Sequence, residues 1–193
     1  MNIQIQSGSP QKNSQSLRVS RAIQKLTEDE HTTSLVDFNA YDIPFINAGK
    51  VIKGAYTPFQ KQLIEGWEAA DLVVVVSPEY NWFPSAELIN TIHQLGSREY
   101  KHLFDNKVFA FVGVSSGRGG RIPTMQLTTV YNKMINVFST HAISSGKTFE
   151  SQFTSKVLDE NGDSLGNEEY DKGLKAFVDY SVDLTKRWVN GKS

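Results

Sequence analysis

The sequence predicts a doubly wound α/β fold, a five-stranded parallel sheet with helices on both faces. Two observations carry this. Short apolar runs alternate with stretches of helical periodicity along all 193 residues, the order that builds βαβ units. The two strongest runs, residues 71–77 (DLVVVVS) and 107–114 (KVFAFVGV), are apolar at successive positions, so helices must cover both faces of those strands. Crossovers in such a sheet are right-handed. No repeat, low-complexity tract or linker interrupts the pattern, so residues 1–193 are expected to form one domain.

Residues 2–6 (NIQIQ) alternate with period two, as a half-buried edge or near-edge strand does. From Ser16 to about Glu28, Leu17, Ile23 and Leu26 mark a helical face, with serines before it as N-caps. A second strand is expected over 33–38. A polar loop with Pro44, Gly49, Gly54 and Pro58 leads to a helix from about Thr57 to Ala70. After the strand at 71–77, a helix through Leu88, Ile92 and Leu95 ends near Gly96. The strand at 107–114 precedes a helix over 122–138 and a short last strand at 140–144. Residues 145–166 read as a polar loop with DENGD as a turn, either a small hairpin or irregular chain. The final helix, about 167–189, carries Leu174, Phe177, Val178, Leu184 and Trp188 on one stripe.

Twenty basic residues against twenty-one acidic ones leave a charge of −1, which gives no electrostatic case for nucleic acid or an anionic membrane as partner. The chain has no cysteine, which excludes disulfides, thiolate nucleophiles and cysteine-bound metals. MNIQIQSGSP lacks the basic-then-apolar order of a secretory signal. No window approaches the roughly eighteen apolar residues of a spanning helix. A cytoplasmic enzyme or binding protein is the expectation.

Ligands in open α/β sheets bind outside the carboxyl ends of the strands, where strand order reverses. Three post-strand loops have the composition for it. SGSPQKNSQS (7–16) offers hydroxyls and N–H groups at a helix N-terminus, which suits a phosphate monoester or a simple N-cap. It matches neither the P-loop nor G-x-G-x-x-G, so a mononucleotide fits better than a dinucleotide. SPEYNWFPSAELIN (77–90) follows the central strand, and SSGRGG (115–120) follows the next, with glycines that permit close approach of a ligand. Together they place phosphate in the first loop and a planar ring between the other two. His31, His93, His102 and His141 show no ligand spacing, so no metal is expected. No G-x-S-x-G accompanies the serines, so nucleophilic hydrolysis has no support either.

On these motifs the chain resembles the NADPH-dependent FMN reductase family of flavodoxin-like proteins, which includes quinone, azo-dye and chromate reductases. The resemblance spans roughly residues 1–180 and rests on G-S-x-x-x-x-S, on P-E-Y-N with Leu88 and Asn90 at the expected spacing, and on S-x-G-R-G-G. It implies the strand order 2-1-3-4-5 and FMN as cofactor, with NADPH or NADH as hydride donor. It implies that Ser9, Ser14, Gln15 and Ser16 hold the FMN phosphate, that Pro78, Glu79, Tyr80 and Asn81 line the ring and ribityl chain, and that Ser115, Gly117, Arg118, Gly119 and Gly120 approach the pyrimidine side. The acceptor would be a small molecule: a quinone, azo compound, free flavin or metal oxyanion. A homodimer or homotetramer is implied as the assembly. The alternatives are a flavodoxin-type electron carrier, which the charge of −1 disfavours, and a flavin-binding interaction module.

The chain departs from the family pattern at several positions. Gln11 stands where arginine is frequent, which shifts phosphate recognition toward N–H groups and hydroxyls. Trp82 and Phe83 follow PEYN in place of a small residue or histidine, Pro84 comes one place early, and Ile89 and His93 replace a lysine and an aspartate. Trp82 and Phe83 either form an aromatic wall facing the substrate or pack beneath the helix or at a subunit interface. Glu79 resembles a catalytic acid, yet a backbone role or a contact to a neighbouring subunit is expected of it. Arg118 and the loop N–H groups are candidates to stabilise the reduced ring. Arg118 and Arg121 are also candidates for a nicotinamide nucleotide phosphate, with solvation expected for Arg121.

Overall fold

The computed structural model describes residues 1–46 and 51–191; Gly49 of the polar loop lies outside them. The elements run β1 (Asn2–Ser7), α1 (Gln15–Thr27), β2 (Thr32–Asp37), α2 (Pro58–Ala69), β3 (Leu72–Pro78), α3 (Ala86–Leu95), β4 (Val108–Val114), α4 (Arg121–Phe138), β5 (Ile143–Ser144), β6 (Phe149–Ser151) and α5 (Glu168–Asn190). The strands form one sheet in the order β2-β1-β3-β4-β5, with β6 also on β4. All pairs are parallel. This is the flavodoxin-like order, and it places the strand-order reversal between β1 and β3.

Alternate residues of the central strands divide the core in two. Val73, Val75, Phe109 and Phe111 pack under α2, α3 and α4, where Trp67, Phe104 and Tyr131 are fully buried. Val74, Val76, Ala110 and Val112 pack on the other face under α1 and α5. Every residue of β3 and β4 is buried, as their unbroken apolar sequences require. Caps fix the helix starts: Thr57 and Gln60 form a reciprocal capping box at α2, with Pro58 in the first turn.

Four expectations need correction. β1 is not half-buried: Gln4 and Gln6 are fully covered. Gln6 Nε2 donates to Gln4 Oε1 at 3.1 Å and Gln4 Nε2 to the Gln62 carbonyl at 3.4 Å, and Gly66 in α2 leaves room where a Cβ would run into the Gln4 amide. Period two therefore reports a face that is polar, not one that is wet. On α1, Leu26 is exposed, and Val19 and Ala22 fill the core face with Leu17 and Ile23. The last strand is split, since β5 pairs with the start of β4 and β6 with its end; what was expected as loop over 145–166 thus contains β6. Its DENGD turn closes a small hairpin through the Leu158–Ser164 bridge. On α5, Leu174, Phe177 and Val178 are buried as expected, while Leu184 and Trp188 pack at the margin of that core. No helix among the described residues is long and apolar enough to cross a membrane.

Candidate flavin site

The loops after β1, β3 and β4 meet at one end of the sheet, tied to one another by identifiable bonds. In the first, Ser14 caps α1, its Oγ accepting the Leu17 N–H at 3.1 Å. Ser16 is 1% exposed, and its Oγ has no hydrogen-bond partner among the described residues. A buried hydroxyl left unpaired at a helix N-terminus is suited to donate to an oxyanion, together with the free N–H groups of the first turn. The Gly8 N–H donates to the Val76 carbonyl at 2.9 Å, and the Gly8 carbonyl accepts the Ser85 hydroxyl at 2.5 Å. Ser85 also caps α3, so the helix carrying Leu88 and Asn90 is bound directly to the first loop.

The second loop is a two-residue hairpin. Tyr80 and Phe83 exchange both backbone bonds, at 2.9 and 3.0 Å, and the central residues Asn81 and Trp82 have φ of 50° and 71°. Those features mark a type I′ turn, which ordinarily has Gly where Trp82 stands. A non-glycine residue in this region costs roughly 1 kcal/mol or more, and no packing offsets it, because Trp82 is 72% and Phe83 60% exposed. Neither aromatic lies beneath α3. The Tyr80 hydroxyl meets Ser9 Oγ at 2.9 Å, joining the hairpin to the first loop.

The third loop folds back over β4. Gly119 and Gly120 have φ of 156° and 95°, and a Cβ on Gly113 would collide with the Gly120 carbonyl. The Glu79 carboxylate accepts the Gly120 N–H, so this side chain is engaged within its own chain. β6 supports the loop from the other side. The Ser115 N–H donates to the Ser151 carbonyl at 2.9 Å, and the Phe153 N–H to the Gly117 carbonyl at 3.1 Å; Gln152 Nε2 donates to the Gly119 carbonyl at 3.2 Å. Sequence reasoning missed this strut. Its three residues, Phe149-Glu150-Ser151, carry no local signal that reasoning could have used.

A cleft of about 180 Å³ opens between the loops. Ser9, Ser14, Gln15, Ser16, Pro78, Glu79 and Tyr80 all line it, as the sequence predicts, and Gln11, Val114 and Ser116 line it in addition. Asn81, at the exposed hairpin tip, and Ser115, Gly117, Arg118, Gly119 and Gly120 stand outside this lining. Arg118 is exposed with no partner among the described residues, whereas Arg121 pairs with Glu150 at 2.8 Å. The cleft is smaller than a usual small-molecule site, so it suits the phosphate-bearing end of a cofactor. Beside the first loop, burial raises the Asp37 carboxyl above its ordinary 3.8, opposed by the Asn39 N–H and the charge of Arg21.

The profile of the NADPH-dependent FMN reductase family matches residues 1–148. The chain belongs to that family. FMN is accordingly its cofactor, and the unpaired Ser16 hydroxyl in the cleft at the α1 N-terminus fits the phosphate of that group. An NAD(P)H:quinone oxidoreductase of Solanum tuberosum is 26% identical over 173 residues, 89% of this chain and 86% of that protein. Among solved structures, the flavoenzyme NAD(P)H:(acceptor) oxidoreductase FerB from Paracoccus denitrificans is 20% identical, with a TM-score of 0.72 over 96% of this chain and 97% of its own. An NADH:FMN oxidoreductase, EmoB, is 13% identical with a TM-score of 0.63, over 94% and 89% of the two chains. At these identities the structural likenesses establish the flavodoxin-like fold alone. As a member of the family, the chain is an NAD(P)H-dependent oxidoreductase of the FMN reductase type.

Proposed function

We propose that the protein is a single-domain, cytoplasmic reductase that passes reducing equivalents from NADPH or NADH to a flat conjugated acceptor of quinone type. The observation that carries the acceptor class is Trp82, a large aromatic held out at positive φ beside the cleft, with Phe83 next to it. Nothing in the packing of the chain rewards that placement. An aromatic wall favours planar acceptors over compact ones such as metal oxyanions, because flat rings stack in offset contact. The potato relative's name, a quinone oxidoreductase, agrees with this choice.

FMN, when bound, would supply the hydride- and electron-transfer chemistry that links the reduced nicotinamide to the acceptor. The chain's part is binding and electrostatics. Ser9, Ser14, Gln15 and Ser16 with the first N–H groups of α1 hold the phosphate. Pro78, Glu79, Tyr80 and Asn81 position the ring system from one side. Ser115, Gly117, Arg118, Gly119 and Gly120 form the loop at the pyrimidine edge. The N–H groups of Ser115, Gly117 and Gly120 are spent within the protein, which leaves those of Arg118 and Gly119 and the Arg118 cation for the negative charge that develops on reduction. Glu79 acts by position, keeping the glycines in place through the Gly120 N–H. The exposed Trp82 and Phe83 suit an assembly of two or four copies in which these side chains edge a shared substrate opening.

Steady-state rates with a panel of acceptors test the reading. A planar quinone is expected to be reduced faster than chromate, and Trp82→Ala is expected to narrow that ratio about tenfold while FMN content stays the same. A ratio that Trp82→Ala leaves unmoved removes the aromatic wall from the account.

A further inference from the structure

A second and larger cleft, about 630 Å³, lies against the strut that holds the third loop. β6, the turn after it and the start of α5 form its walls, with Phe153, Lys156, Glu150, Gln152, Glu169 and Tyr170 among the lining residues. We propose that this cleft receives the adenosine and phosphate end of the nicotinamide donor, so that donor binding extends past the flavin. The proposal rests on the reductase reading above.

Three features identify the ligand chemistry. Phe153 is a bulky residue held at φ 47°, ψ 41° and left 38% exposed. Left-handed backbone at such a residue is rare, and it concentrates where a site demands it. Lys156 stands 5.2 Å from the centre of that ring and makes no ion pair among the described residues. The ammonium lies over one face of the ring. An aromatic ring joined to a cation that has no carboxylate partner among the described residues offers a purine bearing a phosphate both a stacking surface and a charge. The volume is within the range of nucleotide-sized sites.

The cleft's walls also lead to the flavin loop. Phe153 and Gln152 are bonded to the carbonyls of Gly117 and Gly119. Between those glycines in sequence stands Arg118, exposed and without a partner among the described residues, a second cation for the diphosphate of a donor that spans both clefts. The two carboxylates of the lining differ in their effect on an anion. Glu150 is neutralised by Arg121 at 2.8 Å. Glu169 makes no ion pair among the described residues, so it disfavours an anion on its side and leaves phosphate to Lys156. Tyr170, whose hydroxyl burial pushes up to about 12, meets Ser151 Oγ at 2.8 Å and remains a neutral wall.

ADP-ribose, the donor without its nicotinamide, is the probe. Titration calorimetry on the FMN-loaded protein is expected to show binding, weakened about tenfold in Phe153→Asn and in Lys156→Gln. Asparagine tolerates the left-handed backbone and keeps the N–H bonded to Gly117, and unchanged thermal melting verifies that the fold is intact. Reduced nicotinamide mononucleotide, which lacks the adenosine end, is expected to reduce the flavin at the same rate in all three proteins. No binding to the unsubstituted protein, or equal binding to all three, overturns the proposal. A flavin that none of NADPH, NADH or the mononucleotide reduces overturns the reductase reading instead, and ADP-ribose loses its meaning as a donor fragment.

Discussion

The Glu79 carboxylate accepts the backbone N–H of Gly120, which makes the loop after β3 and the loop after β4 one mechanical unit. A hydrogen bond to a charged group contributes about 1.5–3 kcal/mol. Glu79→Ala is therefore expected to weaken FMN binding about tenfold or more by freeing the glycines, while Glu79→Gln, which keeps an acceptor, loses less. Quenching of FMN fluorescence on titration measures both. Equal affinity in all three proteins would show that the loops hold their shape without the staple.

Trp82→Gly isolates the cost of the I′ turn. Glycine accepts φ 71° freely, and the tryptophan buries little, so a gain of about 1 kcal/mol in stability is expected. It would appear as a higher urea midpoint with an unchanged slope. A loss of stability would mean that the indole makes contacts that its exposure does not suggest.

Gly113→Ala acts from inside the sheet. The new Cβ meets the Gly120 carbonyl, a backbone group with no freedom to rotate away. A loss of about 1–3 kcal/mol is expected, together with weaker FMN retention on dialysis because the third loop is displaced. Gly117→Ala is the contrast: its Cβ meets nothing within 4 Å, and stability should hold.

Asp37 gives the pH dependence. Burial raises its folded-state pKa above the ordinary 3.8, so the native state binds the proton more tightly than the unfolded chain. Its contribution to stability is present below pH 3.8 and is lost as pH rises through the folded value. Asp37→Asn keeps an oxygen for the Asn39 N–H, 3.3 Å away. It is expected to raise the melting temperature at pH 7, with the gain shrinking as pH falls toward 3.8. A gain that persists at low pH would place its cause elsewhere.

The central strands and the three loops were legible in the sequence for physical reasons. A strand such as Leu72–Pro78 buried on both faces can hardly be written otherwise than as an apolar run, and a cofactor loop must carry small or polar residues. The rest depended on partners far away in sequence. Gln4 and Gln6 alternate with isoleucines just as surface residues do, and only Gly66 and the Gln62 carbonyl reveal that they are buried. β6 has three residues, too few for any period to register, and it exists because Val112 to Val114 need a partner. The exposure of Trp82 follows from the Tyr80–Phe83 pairing, which an Asn-Trp dipeptide does not announce. Of the cleft lining, Val114 and Ser116 lay within recognised segments but carried no distinguishing chemistry.

The most direct test of the account is an anaerobic two-stage mixing experiment on the FMN-loaded protein, followed by its visible absorption. NADPH or NADH is expected to bleach the flavin band within seconds, and a planar quinone added afterwards to restore it fully. A flavin that stays oxidised with both donors over minutes would contradict the assignment of this chain as a working reductase.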